Sequence, residues 1–518
     1  MKRFSMGYMA NPDRAGVNYD AASRYSLRMV WGGTLFLAVL AFSRLRYAPK
    51  YLFYFDNANF AFALRYFNPA LHQPQPPGYP AFVGLLKVVY LATGDANRAL
   101  LVAGLLGSIL AMWLLWIWSS RMFGPVPALL STALLMFHPV FWLAGVANPV
   151  RTFLAVIVAG VGVAAWETMV SATPTKSFYI YSVVFGLLAG FRPEALLLLM
   201  PVWITVVVYR RLPWTVRLIG LGWLACAVAV WLVPMVARIG GIYATWTTFS
   251  EYVRQRSLGY SFVYGASFSQ TAATARRTLI WTFGSSVVWV WALVPFWPKF
   301  RSSWERGTVL LITVTLVPAV VFHALFHVRD IDQTLVSIPL VCMVGGVALS
   351  SVRPRAAMLA CSVIALTGSC WSFRRPFFHD MAAASGSAIR YVDVSTRATF
   401  KALDDATVED GTVLIWHDAV VPWRNVSYYY PHLPMLVVSG EKPFWVNLNP
   451  SGPASMEADG CVVVPLPVKQ IVLGLSAKQA QIVKKDYPEA RSINPLVYLR
   501  MATADRLRIG PVCLHVAH

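Results

Sequence analysis

The sequence predicts an all-α polytopic membrane protein of about 11 transmembrane helices, with juxtamembrane helices in its first outer loop and a small C-terminal α/β soluble domain. Three observations carry that prediction. Of 518 residues, 57% are hydrophobic and only 13% charged, whereas a soluble globule carries about 25% charged residues. Apolar runs long enough to cross a bilayer recur along the first 371 residues. Charge is also uneven: residues 1–371 hold 29 Lys/Arg and 10 Asp/Glu, residues 372–518 hold 15 and 13. Basic residues interleaved with apolar runs read as cytoplasmic loop charge, so nucleic acid is not an expected partner.

The runs lie near 27–45, 98–120, 125–142, 149–170, 177–191, 194–209, 214–236, 276–297, 307–325, 333–350 and 356–371, eleven in all. A further run at 79–92, "YPAFVGLLKVVYLA", is short and holds Lys87, which suits an interfacial helix better than a span. If it stays outside, basic ends at Arg121, Lys176, Arg210 and Arg211, "KFRSSWER" and "VRPR" all face the cytoplasm. If it crosses, all five fall on the wrong side. The expected organisation is therefore a cytoplasmic tail 1–26, a membrane domain 27–371 and an extracytoplasmic domain 372–518. The basic N-terminus reads as an uncleaved signal anchor, and a bacterial inner membrane is the expected location.

Within 372–518, "TVLIW" (412–416), "PMLVVS" (434–439) and "CVVVPL" (461–466) read as strands, and "SAKQAQIVKKDYP" (476–488) as a helix. Cys226, Cys342, Cys361 and Cys370 lie in or beside apolar runs and read as packing residues. Cys461 and Cys513 can be bonded in an oxidising compartment, and no cysteine–histidine spacing suggests zinc. Asn425-Val426-Ser427 is a glycosylation sequon, meaningful only in a eukaryotic secretory host.

Ten acids occupy residues 1–371, and six of them, Asp56, Asp95, Glu194, Glu251, Asp330 and Asp332, fall at the outer face in this topology. Bases also collect there against the positive-inside rule: Arg65, Arg151, Arg192, Arg254, Arg256, Arg276, Arg277 and Arg329. Cations on the wrong side beside carboxylates suit a phosphorylated, membrane-borne ligand. Asp56 opens a stretch whose Phe60, Leu64, Phe67 and Leu71 form one helical stripe, expected to lie flat on the membrane and to be cut short at Pro69. "PQPPGYP" follows as a rigid ledge. Asp56 could alternatively be a helix N-cap, worth about 1 kcal/mol.

Arg192 in "GFRPE" can clamp a phosphate with Glu194 orienting it, or the two can be an interfacial ion pair. Arg329, between His327 and Asp330, has the same two readings, and Arg65 is a third candidate for phosphate. The segment 237–275 reads as a long loop. Its Tyr243, Trp246, Tyr252, Tyr260 and Tyr264, with Arg254 and Arg256, suit either an acceptor cleft or an aromatic belt. His72 and His138 are polar packing groups or acid/base groups.

These features together resemble the GT-C superfamily of polytopic glycosyltransferases, in its protein O-mannosyltransferase and aminoarabinose-transferase branch. The resemblance rests on Asp56 with the stretch Phe60 to Leu71 and "PQPPGYP", on "FHPVFWLAGVANPVRTF", and on "GLLAGFRPE", and it covers roughly residues 27–210. It implies transfer of a sugar from a polyprenyl-phosphate-linked donor to a protein, glycan or lipid acceptor at the outer face. It further implies Asp56 as general base or contact to a divalent metal. Many relatives carry a second acid where this chain has Asn148, which can hydrogen-bond but cannot take a proton at neutral pH. Two other classes remain open at this point: a transporter or flippase of an anionic or lipid-linked substrate, and a non-catalytic envelope scaffold.

Overall fold

The computed structural model describes residues 36–285, 290–291, 306–326, 330–406, 411–438, 443–447, 452–456, 461–464, 468–488, 490–493, 495–500, 506–509 and 512–516. Residues up to Arg46 form a unit of their own, in which helix α1 spans Phe36–Leu45. The second unit begins at Tyr47.

Its helices follow the apolar pattern closely: α2 (Phe55–Arg65), α3 (Pro80–Thr93), α4 (Ala96–Phe123), α5 (Pro125–Phe137), α6 (Pro139–Ala147), α7 (Pro149–Val170), α8 (Pro174–Ala189), α9 (Ala195–Tyr209), α10 (Trp214–Ile239), α11 (Ile242–Ser257), α12 (Phe268–Phe283), α13 (Arg306–Leu325), α14 (Ile338–Ser350) and α15 (Arg355–Arg374). Every described part of an apolar run is mostly helical. By length and composition, five of the described helices can cross a membrane, α4, α7, α10, α13 and α15, or six if the bent pair α5–α6 is one span. The eleven runs thus do not all qualify alone. Helices of 13 to 16 residues, such as α14 and α9, reach only ~20–24 Å, short of a hydrocarbon core of ~30 Å. The run 125–142 is broken by 58° at His138-Pro139, where proline cannot donate to the preceding turn.

Two expectations need correction. The helix bearing Asp56 stops at Arg65, and Tyr66 is already extended, so Phe67 and Leu71 do not continue its stripe. Within α2, Ala58, Phe60, Ala61 and Ala63 are buried. The segment 237–275 is also no loop, since α11 and the start of α12 make most of it helical.

The C-terminal part carries helices α16 (Gly386–Ala406), α17 (Trp423–Tyr429) and α18 (Ala477–Asp486) around a seven-stranded sheet. Its strands are β1 (Thr412–His417), β2 (Met435–Val437), β3 (Phe444–Val446), β4 (Gly452–Pro453), β6 (Gln470–Leu475), β7 (Arg491–Ile493) and β8 (Leu496–Arg500), in the order β4-β3-β2-β1-β6-β8-β7. Strand β1 runs parallel to β2 and β6. Val413 and Ile415 pack with Val483 of α18, while Leu414 and Trp416 pack with Phe400 and Leu403 of α16 and Val426 of α17. Burial on both faces is why "TVLIW" reads as an unbroken apolar run. A smaller sheet joins β5 (Cys461–Val464) to β10 (Val512–Val516) in parallel and β10 to β9 (Arg506–Ile509). Cys461 and Cys513 face each other in that register and form a disulfide.

Helix α17 lies on α2 and covers it. Trp423 meets Phe55 edge-on at 5.4 Å and Tyr428 meets Phe62 at 5.3 Å. Arg424 stacks over Phe62 at 4.7 Å and donates through Nε to Asn59 Oδ1 at 3.1 Å. Asn425 is buried and donates to Leu52 O at 2.7 Å, so the sequon is a packing element.

Candidate active site

Asp56 is the second residue of α2, whose N-cap is Tyr54 with no side-chain capping bond. It is therefore not the N-cap. Its neighbour Asn57 is buried and donates through Nδ2 to Ala147 O at 2.8 Å, tying the start of α2 to the end of α6. The carboxyl of Asp56 is pushed above the ordinary range by burial, against the pull of Arg151; Asp330 raises it further, and Arg256 and Arg192 lower it. Groups from four separate parts of the chain thus act on this one acid.

The first group sits where α6 gives way to α7. Proline at the first position of α7 has no N–H to leave unsatisfied there, and Arg151 is the third residue of the helix. A cation at the positive end of a helix is disfavoured unless acids answer it. They do: Arg151 Nη2 lies 3.2 Å from Asp330 Oδ2, and Nε lies 3.2 Å from Asp332 Oδ1. Both acids come from the 3-10 turn Ile331–Val336 and its preceding residue. Asn148 Nδ2 donates to Asp332 Oδ2 at 2.8 Å. Arg151 is 5% exposed and Asp332 2%. Burial raises the Asp332 carboxyl, opposed chiefly by Arg151.

The second group joins the proline ledge to "GFRPE". Gly78 has φ +92°, and a Cβ there would lie 2.8 Å from both Met235 Sδ and Pro69 Cγ, so only glycine fits. Ala81 N donates to Gly190 O at 3.0 Å, which locks the start of α3 to the α8–α9 junction. Arg192 then stacks over the Tyr79 ring at 4.6 Å and pairs with Glu194. Arg192 is 2% exposed, yet its Nε and Nη1 find no hydrogen-bond partner among the described residues. Buried, unpaired guanidinium N–H groups are costly and mark a place where an acceptor belongs.

The expected site residues divide accordingly. Asp56, Arg192, Glu194, Asn148 and Asp330 come together at this end of the bundle. His72 flanks it, 5.7 Å from the Tyr252 ring, with Arg256 over the same ring at 5.4 Å. Burial, then Arg256 and Arg424, hold the His72 imidazole down to about 4, so it is neutral at pH 7. Arg65 does not join them. It lies nine residues along α2 from Asp56, roughly 14 Å at helical rise, over the Tyr428 ring at 5.0 Å. Arg329 lies outside the described residues. His138 is fully buried at the α5–α6 break. Tyr243 and Trp246 are exposed, whereas Tyr252 and Arg256 turn to the site.

Arg151 and Asp332 stand at the centre of these contacts but received no role from the sequence, although both stood among the charges at the outer face. A stronger signal was available: Arg151 in the first turn of an apolar helix is misplaced unless acids meet it.

The divalent metal implied by the resemblance does not fit these residues. Asp332 Oδ2 accepts from the Asn148 amide, and Oδ1, though without a hydrogen bond among the described residues, lies 3.2 Å from Arg151 Nε, whose charge opposes a second cation there. Among the described residues, no three His, Cys, Asp or Glu side chains gather to hold a metal ion.

No family model and no curated protein sequence matches the chain. Solved structures do. The chain is similar to ArnT from Cupriavidus metallidurans bound to undecaprenyl phosphate, with TM-score 0.58 and 13% identity over 90% of this chain and 97% of that one. It is similar to the apo state of the same enzyme with TM-score 0.55 and 13% identity, over 91% and 98%. The chain is an integral membrane protein with the fold of ArnT.

Proposed function

We propose that this chain is a membrane glycosyltransferase that moves a sugar from a polyprenyl-phosphate donor to an acceptor at the outer face of the membrane. One observation carries the reading above the others: buried Arg192 keeps two nitrogens without a partner among the described residues, at the end of the bundle that holds Asp56. A lipid-borne phosphate supplies the missing acceptors. The likeness to an enzyme bound to undecaprenyl phosphate supports that donor class. The Cys461–Cys513 disulfide supports an oxidising location for the C-terminal region, consistent with a cytoplasmic tail 1–26, a membrane domain 27–371 and an outer domain 372–518.

In this mechanism, Asp56 takes the proton of an acceptor hydroxyl or amine as its oxygen or nitrogen attacks the anomeric carbon in line. The bond from that carbon to the phosphate oxygen breaks, and polyprenyl phosphate leaves with its charge met by Arg192. A base must lie within about 3 Å of its proton, and fixed donors aimed at developing charge are worth ~3–4 kcal/mol each. Asp56→Asn should lower sugar transfer from mixed radiolabelled polyprenyl-phosphate donors by about 10²–10⁴-fold without lowering thermal stability. Transfer at the wild-type rate by both Asp56→Asn and Asp56→Ala would refute the assignment.

A further inference from the structure

We propose that Arg151 is the resident cation of this site, standing where a divalent metal would otherwise balance the carboxylates, so that the site works without a metal ion. The inference rests on the transferase reading for its kinetic arm only. Its physical ground is the set of contacts around Asp332. That carboxylate is buried: Oδ2 accepts from Asn148 Nδ2 at 2.8 Å, and Oδ1, without a hydrogen bond among the described residues, lies in an ion pair 3.2 Å from Arg151 Nε, whose charge repels a second cation. Asp330 Oδ2, the other acid within reach, lies 3.2 Å from Arg151 Nη2. One planar guanidinium thus bridges two carboxylates, as its forked donors allow and a lysine ammonium would not.

Position 148 completes the argument. An aspartate there would face Asp332 carboxylate to carboxylate, an arrangement that needs a shared proton or a further cation. Asparagine removes that demand by donating instead. The formal charges agree: an aspartate with a divalent ion adds one net positive charge, and so does Asn148 with Arg151. The exchange keeps the field at Asp56 while replacing an exchangeable ion with a covalently attached one, which chelators cannot remove. Arg151 is also the foremost cation acting on Asp56, so it is a positioning residue for the base as well as the counter-ion of the two acids.

The test uses the full-length protein in nanodiscs, with Mn²⁺ as the probe. Electron paramagnetic resonance should detect no bound Mn²⁺ on the wild type, and a chelator should leave its transfer rate unchanged. Arg151→Met should lose transfer by about 10²-fold or more, while Arg151→Lys, which keeps the charge but not the forked bridge, should recover part of the loss in transfer. The double variant Asn148→Asp/Arg151→Ala should acquire bound Mn²⁺. Stoichiometric Mn²⁺ on the wild type, chelator-sensitive transfer, or a double variant that binds no more Mn²⁺ than the wild type would each overturn the inference. Because Mn²⁺ occupancy is read without turnover, failure of the transferase reading alone leaves this arm able to decide.

Discussion

Two buried arginines act on the same acid and differ in how many carboxylates answer them. Arg151, at the start of α7, lies against two carboxylates, one of them braced by Asn148. Arg192, between α8 and α9, has one carboxylate, an aromatic face and two nitrogens left over. Under the proposed function, the difference separates a cation paired within the protein from one that would meet the donor phosphate. Among the described residues, Arg151 leaves only Nε buried without a hydrogen bond, and that nitrogen still faces a carboxylate at 3.2 Å, whereas Arg192 leaves both Nε and Nη1 without one.

The sharpest way to break this comparison is to remove each arginine and read stability and transfer together. Arg151→Met strands the Asp332 carboxylate in a buried site, and removing one partner of a buried ion pair costs about 3–5 kcal/mol. Arg192→Met leaves Glu194 with its side chain 32% exposed, so thermal unfolding should shift little, while transfer should fall by about 10²–10³-fold. If both variants unfolded alike, the distinction between a framing and a binding arginine would be lost.

Acidity sharpens the comparison at a smaller scale. Burial raises Asp56, so its folded carboxyl holds a proton to higher pH than the unfolded one does. That contribution to stability is full below the unfolded value and is lost as pH rises through the raised one. The base form appears over the same rise. The acidic limb of the transfer profile should therefore lie above the ordinary carboxylate range, and His72→Gln should leave it in place. His72, depressed to about 4, has the opposite sign: its contribution is present above 6.5 and fades as pH falls toward about 4. A limb that moved with His72→Gln would reassign the base.

The smallest effect belongs to the third arginine. Arg65→Ala should change transfer less than about twofold and stability by about 0.5–1 kcal/mol, the worth of an exposed cation over a ring. A large loss of transfer would bring Arg65 back into the site.

The fold was legible because hydropathy is local. Each described stretch of apolar run returned as mostly helix, and "TVLIW", "PMLVVS" and "CVVVPL" returned as strands at their cores. What escaped was contingent on distant neighbours. The end of α2 at Arg65 and its cover under α17 depend on Trp423, Arg424 and Tyr428, far along the chain. The helical nature of 237–275 was hidden because its polar residues read as loop. At the candidate site, scarcity did much of the work: ten acids among 371 residues make each one conspicuous, and Asp56, Glu194 and Asp330 became candidates that way. Arg151 and Asp332 were seen as charges but not as partners.

From the order of residues alone came the membrane architecture, the sheet-bearing C-terminal region and the few charges worth watching, because burial in lipid penalises every charge and leaves only those with a use. Tertiary structure decided which of those charges meet. Asn148 and Asp332 are 184 positions apart, and no periodicity or spacing in the chain encodes their contact. Only the packing of α7 against the 3-10 turn at Ile331–Val336 brings the guanidinium, the amide and the carboxylates to one place.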